Sequence, residues 1–271
     1  MFCLPHSKTK FLLFGVRAKE NFNHMKGNNY KSLAKNYDYF FEAKKQAVGQ
    51  KLFFEKLIKK YSIRTCLDCA CGTGPHLFML NKIGIKCSGS DLSPEMLAIA
   101  KKNLKGKNIP LKVEDFRNLS NSWKEKFDMI ICMSTSFAHM LTDKDAIKAL
   151  NSMHKRLNDS GILVIGNGVS DKLLDTKPKL IPAKVLKDRA MYFFLEYPDR
   201  KRVIYNVFQI RKTRNSFQHN FEIMVYNAMR KSVFDRCFAK TQFRKIQYFG
   251  DYDFTKYSMK DSKRLIVIAQ K

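Results

Sequence analysis

The chain has 271 residues, 45% of them hydrophobic, which is enough for one large α/β domain, or one domain with an insertion, around a substantial core. No stretch approaches the roughly 20 uninterrupted apolar residues of a membrane-spanning helix, and no secretory signal is predicted, so no membrane partner is expected. The net charge of +27 is distributed as +9 over residues 1–60, +5 over 61–170 and +13 over 171–271, which is typical of either a lysine-rich composition or a basic rim that attracts nucleic acid or an anionic substrate.

The N-terminal part predicts an extension followed by helices. A more regular sequence begins at Met25, so residues 1–24 are expected to be an extension, disordered or loosely attached, or the product of an upstream start. Between residues 26 and 60, aromatic and apolar residues recur at spacings of three and four, which predicts two amphipathic helices.

From Arg64 onward, predicted strands and helices alternate. This alternation, with short loops, predicts a parallel sheet covered by helices on both faces. A tight turn is expected at Asn158–Gly161, before the fifth strand. The predicted strands are 64–69, 85–90, 110–113, 127–133 and 161–166, and the predicted helices are 75–83, 93–104 and 143–157.

After Lys172 the pattern changes to aromatic and β-branched segments at 189–197, 201–212 and 217–228, which predict antiparallel hairpins. A helix at 231–241 and two strands at 244–249 and 264–269 follow. The predicted organisation is therefore an extension (1–24), a core (25–170), an antiparallel β insertion (171–230) and a C-terminal part that completes the core (231–271).

The seven cysteines are an odd number in mostly apolar context, which indicates small buried residues in a reducing, cytoplasmic compartment. Cys66, Cys69 and Cys71 are close enough to suggest a metal or redox site. No second Cys/His pair at zinc-like spacing accompanies them, so no metal is predicted.

A glycine-rich turn follows the first predicted strand, in Leu67-Asp-Cys-Ala-Cys-Gly-Thr-Gly74. Such a turn between a strand and a helix usually binds a nucleotide. The dinucleotide fingerprint lacks its third glycine here, Pro75 removes an N–H, and no Gly-Lys-Ser/Thr of a P-loop follows. Asp68 at the entrance of the turn repels phosphate and favours a ligand with a positive amino group.

Two further acidic positions follow the second and third predicted strands. Asp91 ends the second strand, where sheets of this kind hydrogen-bond ribose hydroxyls, and Ser93 and Pro94 begin the next helix. Glu114 and Asp115 follow the third strand, where they can meet an adenine edge. A ribose, an adenine and an amino acid without phosphates together indicate S-adenosylmethionine (SAM).

On these residues the chain resembles the class I SAM-dependent methyltransferases, over roughly residues 30–170 and 231–271. The resemblance rests on the turn at 67–74, Gly89-Ser-Asp-Leu-Ser-Pro-Glu-Met-Leu97, Glu114-Asp115, Phe127-Asp-Met-Ile-Ile131 and Leu157-Asn-Asp-Ser-Gly-Ile-Leu163. It implies a Rossmann-like, seven-stranded α/β fold with an antiparallel last strand and an insertion after the fifth, and SAM (S-adenosylhomocysteine, SAH, as product) across the strand ends. It places Asp68 near the methionine moiety, Asp91 on the ribose and Asp115 by the adenine. The implied cofactor contacts are Asp68, Ala70, Gly72, Gly74, Asp91, Leu92, Met96, Asp115, Phe116 and Met133.

The methyl acceptor is expected beyond the fourth strand, with Ser134 and Thr135 as candidate substrate contacts. The base-stacking Asn/Asp-Pro-Pro-aromatic motif and a Pro-Cys nucleophile are absent there. Ser136-Phe-Ala-His139 instead resembles the Asn-Ser-Phe-x-His stretch of glycine and sarcosine N-methyltransferases. Thr135 replaces the Asn of that motif, and Gly168 stands where the resemblance expects an Arg that holds a carboxylate, so glycine itself is not favoured over another small amine, hydroxyl or carbon acid.

Tyr37 and His139 are the candidate catalytic residues. The resemblance implies that an N-terminal helix carrying Tyr37 folds over the methyl group, and a near-neutral imidazole suits a general base. Helix packing for Tyr37 and a structural hydrogen bond for His139 are the alternatives. Four tyrosines of the insertion are candidates for the acceptor pocket or for sheet packing: Tyr192, Tyr197, Tyr205 and Tyr226.

Three functional hypotheses are compatible with the sequence. The favoured hypothesis is a methyltransferase for a small molecule, capped by the β insertion. An RNA methyltransferase using the basic flanks is less favoured, because no RNA-binding module is recognisable. The third is a SAM-binding sensor without catalysis, which an eroded motif would favour, but Asp68, Gly72, Gly74 and Asp91 are all present. The oligomeric state is left open.

Overall fold

The structure, a computed structural model, describes Tyr37, Asp38 and residues 40–271. The predicted extension over 1–24 and the first part of the predicted helical region lie outside the described residues. Helices α1 (Ala43–Gly49) and α2 (Lys51–Tyr61) confirm the helical prediction for the rest of that region. The apolar side of α2 is buried through Phe53, Phe54 and Leu57.

Within the described part of the chain, eleven strands form two sheets. The seven-stranded sheet has the order β10-β11-β5-β4-β1-β2-β3, and the four-stranded sheet has the order β6-β7-β8-β9. The strands are β1 (Thr65–Asp68), β2 (Lys86–Asp91), β3 (Leu111–Val113), β4 (Phe127–Cys132), β5 (Leu157–Asn167), β6 (Leu180–Val185), β7 (Arg189–Glu196), β8 (Arg202–Lys212), β9 (Phe217–Asn227), β10 (Arg244–Phe249) and β11 (Leu265–Gln270).

The large sheet confirms the predicted fold. Strands β1 to β5 pair in parallel, whereas β11 runs antiparallel to β5 and to β10. The remaining helices of the described residues are α3 (Pro75–Lys82), α4 (Pro94–Asn103), α5 (Asp143–Arg156), α6 (Asp171–Thr176) and α7 (Lys231–Phe238), with 3₁₀ turns at Phe116–Asn121 and Ser136–His139.

Alternate residues of the central strands enter two separate cores, as expected for a sheet covered on both faces. On β4, Ile130 packs in one core, while Met129 and Ile131 pack in the other. Because parallel strands end at the same edge, the loops after β1, β2, β3 and β4 meet there, and this edge holds the candidate site.

The predicted tight turn before the fifth strand is part of β5, which begins at Leu157 rather than at residue 161. The strand is irregular at this point: its register with β4 shifts between Phe127 and Met129, and Ser160 has a φ of 64°. A Cβ on Gly161 would lie 2.9 Å from the Asn158 carbonyl oxygen, so the glycine is required by this local bend.

The insertion after β5 is the second sheet. Its last three strands confirm the three predicted segments, and β6 was missed, as was α6 before it. β6 contains Pro182, which disfavours a strand prediction, and it lies at an edge of the sheet, where a proline is tolerated. No helix among the described residues is long and apolar enough to cross a membrane.

Candidate active site

A cavity of about 700 Å³ lies where the carboxyl ends of β1, β2 and β4 face the insertion. Its wall combines three parts of the chain: the loops of the large sheet, the residues around Tyr37 and Phe41, and the inner face of the β6–β9 sheet. The volume lies within the range of roughly 300–1,000 Å³ that is usual for small-molecule sites.

The turn after β1 forms the floor of the cavity. Gly72 and Gly74 have φ values of 52° and 84°, which favour glycine, and a Cβ on Gly72 would meet no atom within 4 Å. Gly72 therefore leaves bare backbone facing the cavity. Gly74 does not line the cavity; a Cβ there would lie 2.9 Å from Leu104, so its role is the turn and the packing of α3.

Asp68, the last residue of β1, is 1% exposed beneath this floor. Its Oδ1 accepts a hydrogen bond from the Ala70 N–H at 3.2 Å, whereas its Oδ2 has no partner among the described residues. Burial, assisted by the nearby Asp91 carboxylate, raises the pKa of Asp68 to about 8. A buried carboxylate with one unsatisfied oxygen indicates a missing donor.

Asp91, at the end of β2, lines the cavity and holds the floor in place. Its Oδ2 accepts from the Gly72 N–H at 2.8 Å, and its Oδ1 accepts from the Ser93 N–H at 2.9 Å. Burial raises the pKa of this carboxyl, while these backbone hydrogen bonds lower it. Ser93 caps α4 by accepting from the Met96 N–H, as its position before Pro94 predicts.

Asp115 also lines the cavity, and the structure pairs it with a residue that the sequence did not single out. The Arg117 guanidinium donates to both oxygens of Asp115 and also to Asp145 on α5. These contacts raise the pKa of Arg117. No sequence signal marked Arg117, because its partner Asp145 lies on a distant helix.

Thr135, in the loop after β4, and Gly168, after β5, are the two positions at which the sequence departs from the glycine/sarcosine pattern, and the structure brings them into contact. Ser134 and Thr135 both line the cavity and have left-handed backbone, with φ values of 56° and 71°. The Thr135 hydroxyl accepts from the Gly168 N–H at 2.9 Å, and a Cβ on Gly168 would lie 2.7 Å from that oxygen. The Thr135 hydroxyl therefore occupies the space of any side chain at position 168. Two consecutive non-glycine residues in this conformation are strained and are typical of functional sites.

Three aromatic residues of the insertion and His139, from the 3₁₀ turn after β4, form a connected wall of rings. The ring centroids of His139 and Tyr226 are 4.7 Å apart, those of Tyr226 and Tyr205 5.1 Å, and those of Tyr205 and Phe193 5.5 Å. All four residues line the cavity. Burial lowers the pKa of His139 to about 4, against a smaller raising effect of its hydrogen bond to the Val225 backbone.

Tyr37 lines the cavity and lies close to Asp68, Asp91 and Tyr226. Burial first, and then the carboxylates Asp91, Asp38 and Asp68, raise its pKa to about 12, and its ring stacks on Phe41 at 4.6 Å. The phenol is therefore protonated at neutral pH and acts as a donor, not as a base.

Most of the residues selected from the sequence line this one cavity. They are Tyr37, Ala70, Gly72, Asp91, Leu92, Met96, Asp115, Phe116, Met133, Ser134, Thr135 and His139. Of the four tyrosines of the insertion, Tyr205 and Tyr226 line it; Tyr197 donates its hydroxyl to the Pro178 carbonyl, and Tyr192 does not line the cavity. Phe41 and Phe193 were missed, because aromatic residues in a helix or strand give no signal of which face they occupy.

The cysteines in the described part of the chain, Cys66, Cys69, Cys71, Cys87, Cys132 and Cys237, are buried and free of disulfides, whereas Cys3 lies outside it. Burial raises the pKa of the Cys66, Cys69 and Cys71 thiols well above the usual value, so they stay protonated. Among the described residues no group of His, Cys, Asp and Glu is arranged to hold a metal ion.

The strand order, with its antiparallel last strand and a glycine turn after β1, defines a class I methyltransferase fold. A solved structure of a SAM-dependent methyltransferase from Clostridium acetobutylicum ATCC 824 matches it with a TM-score of 0.75 at 19% identity, covering 90% of this chain and 99% of that one. The family described as "Methyltransferase domain" matches residues 66–161.

Two curated relatives are similar in sequence, both glycine/sarcosine N-methyltransferases. That of Parasynechococcus marenigrum (strain WH8102) is 34% identical over 137 residues, 50% of this chain and 48% of the relative. That of Aphanothece halophytica is 30% identical over 174 residues, 59% of this chain and 66% of the relative. The matches thus span between about half and two thirds of these relatives. The chain belongs to the class I SAM-dependent methyltransferases, as the resemblance predicted.

Proposed function

We propose that this protein transfers a methyl group from SAM to the nitrogen of a small-molecule amine. The observation that carries the proposal is the buried Asp68 carboxylate, whose Oδ2 has no partner among the described residues, beside Asp91 at the edge of a methyltransferase-type sheet. A ligand with an ammonium group supplies the donor that this oxygen lacks. The names of the two relatives support an amine as the acceptor.

The residues present fit SAM. Asp68 is proposed to hold its amino group, Asp91 its ribose hydroxyls and Asp115 the adenine edge. Ala70, Gly72, Leu92, Met96, Phe116 and Met133 complete the proposed contacts, since all of them line the same cavity as Asp91 and Asp115. Gly74 supports the turn from behind.

When bound, SAM supplies a methyl group on a positively charged sulfur. The nitrogen lone pair of the acceptor would form the new N–C bond as the S–C bond breaks with its electrons remaining on sulfur, and the nitrogen would lose a proton to solvent. Positioning of the two reactants can lower such a barrier by roughly 7–11 kcal/mol, so this chain's residues need only bind and orient them.

Tyr37 and His139 are proposed to orient the acceptor. A phenol with a pKa of about 12 donates a hydrogen bond, and an imidazole with a pKa of about 4 stays neutral and offers an acceptor nitrogen. An imidazole with so low a pKa does not retain the proton that the amine loses, so we propose that His139 aligns the amine rather than deprotonating it.

The aromatic residues that line the cavity favour an amine with an apolar or aromatic substituent. Phe193, Tyr205 and Tyr226 belong to the wall of rings, and Thr135 fills the space beside Gly168. Glycine is therefore expected to be a poor acceptor compared with an arylalkyl amine of similar basicity.

The test is methyl transfer from radiolabelled SAM into a cell extract separated into metabolite, RNA and protein fractions, with glycine, sarcosine and phenethylamine as pure acceptors alongside. The Asp91→Ala variant is the control: we expect its SAM affinity to fall by at least 100-fold, measured by calorimetry. Label in the metabolite fraction supports the proposal. Label in RNA contradicts it in favour of a nucleic-acid substrate, and SAM binding without label in any fraction contradicts it in favour of a sensor.

A further inference from the structure

Asp38 joins the N-terminal part of the described chain to the turn after β1. Its Oδ1 accepts from the Thr73 hydroxyl at 2.6 Å, and its Oδ2 accepts from the Asn103 side-chain amide at 2.9 Å. The same Asn103 amide donates to the Thr73 carbonyl oxygen, also at 2.9 Å. The three residues therefore form a closed triangle of hydrogen bonds between three separate segments.

The segment that carries Asp38 has two more polar anchors. We call Tyr37, Asp38 and residues 40–50 the strap. Glu42 forms an ion pair with Lys184 on β6, and the Gln50 side-chain oxygen accepts a hydrogen bond from His76 Nε2 on α3 at 3.0 Å. The strap thus connects the glycine turn, the first helix after it and the insertion.

The strap also forms part of the cavity wall. Tyr37, Phe41, Ala43, Gln46 and Gln50 line it, and Thr73 beneath the strap is only 1% exposed. Tyr37 is the immediate neighbour of Asp38, and it lies close to both Asp68 and Asp91. The position of the Tyr37 phenol is therefore coupled to the position of the Asp38 carboxylate.

We propose that Asp38 is a positioning residue, which clamps the strap to Thr73 and Asn103 and so places Tyr37 where the SAM and acceptor parts of the cavity meet. The catalytic consequence rests on the proposed function, whereas the clamp itself does not.

The test exchanges the side chains at positions 38 and 103. Asn103→Asp places two carboxylates against each other, which breaks the clamp by repulsion. The double variant Asp38→Asn with Asn103→Asp has the composition and charge of the natural chain. It restores the bonds to Thr73 Oγ and between positions 38 and 103, and it lacks only the bond from position 103 to the Thr73 carbonyl oxygen. Asp159→Asn, which changes a surface carboxylate whose side chain is 93% exposed, is the matched control.

The first readout is hydrogen exchange of the peptide covering residues 40–50 in the presence of SAH. We expect exchange at least 10-fold faster in Asn103→Asp, recovery to within about 3-fold of the natural chain in the double variant, and no change in Asp159→Asn. Equal exchange in all four proteins would overturn the clamp, whether or not any amine is methylated.

The second readout is kinetic. We expect kcat/KM for the amine to fall 10- to 100-fold in Asn103→Asp while the SAM dissociation constant changes by less than 3-fold, with recovery in the double variant. Parallel loss of SAM affinity and kcat/KM would assign the triangle to the cofactor turn instead and overturn the positioning role. An inactive natural chain would contradict the proposed function, and the exchange experiment would still decide the clamp.

Discussion

The two carboxylates at the ends of β1 and β2 have similar sequence contexts but different surroundings. Asp91 lines the cavity and accepts from two backbone N–H groups, whereas Asp68 is buried with one oxygen lacking a partner among the described residues. A buried carboxylate is tolerated in its neutral form, which is why burial raises the pKa of Asp68 to about 8. An arriving ammonium group would favour the charged form, so ligand binding and proton release at Asp68 are linked.

Replacement of Asp68 by Asn is therefore expected to raise the stability of the ligand-free protein and to weaken SAM binding. Because the pKa rises from 3.8 to about 8 on folding, the contribution of Asp68 to stability is complete below pH 4 and is lost as the pH rises towards 8. At pH 7, Asp68→Asn should raise the free energy of unfolding of the ligand-free protein by about 1 kcal/mol or more.

The same variant should bind SAM at least 10-fold more weakly, because the amide lacks the negative charge. Urea unfolding at pH 5 and pH 7, together with calorimetric titration of SAM, measures both effects. For the natural chain, titrations at pH 6.5 in buffers of different ionisation enthalpy should show net proton release. Tighter SAM binding by Asp68→Asn, or no proton release by the natural chain, would contradict the assigned role.

The β6–β9 sheet is apolar on both faces, and its two faces have different roles. Alternate residues of a strand point to opposite sides, so neighbouring phenylalanines on β7 separate: Phe193 lines the cavity, whereas Phe194 is 45% exposed on the outer face. Phe221 on β9 is 52% exposed on the same outer face, opposite Phe208 on β8. The pairing register of the sheet therefore decides which aromatic residues can meet an acceptor.

This alternation offers a matched pair of variants on one strand. Phe193→Ala should raise the KM for the acceptor amine about 10-fold, because the wall loses a ring, while the SAM dissociation constant changes little. Phe194→Ala should leave both constants within about 2-fold. Steady-state kinetics with the amine identified from the metabolite fraction checks both, and equal effects of the two substitutions would show that the insertion does not line the acceptor site.

At the scale of the whole molecule, an acidic floor lies within a strongly basic protein. The chain carries +27, yet Asp68 and Asp91 end β1 and β2, and Asp115 follows β3, so all three lie at the same edge of the large sheet. A local cluster of carboxylates favours a cationic ligand at short range, whereas the remaining positive charge acts at long range and is screened by salt.

This separation predicts how activity responds to ionic strength. Methylation of a small amine should change by less than about 3-fold between 50 and 200 mM salt, because its binding depends on close contacts in the cavity. An RNA acceptor should lose roughly 10³-fold or more in affinity over this range if it makes 6–10 phosphate contacts. Initial rates at constant pH, with the purified acceptor and SAM in excess, distinguish the two.

The sequence by itself determined the order of strands and helices, the glycine turn at 72–74 and the acidic residues at the strand ends. These features depend on local patterns and on the fact that parallel strands all end at the same edge of a sheet. The sequence also predicted the last three strands of the insertion. Only the tertiary structure decided that Tyr205 and Tyr226 rather than Tyr192 face the cavity, that Arg117 pairs with Asp115, and that Thr135 fills the space beside Gly168. The triangle of Asp38, Thr73 and Asn103 belongs to the same group. These contacts join residues far apart in the chain, and the spacing of residues along a sequence carries no information on which distant side chains the fold brings together.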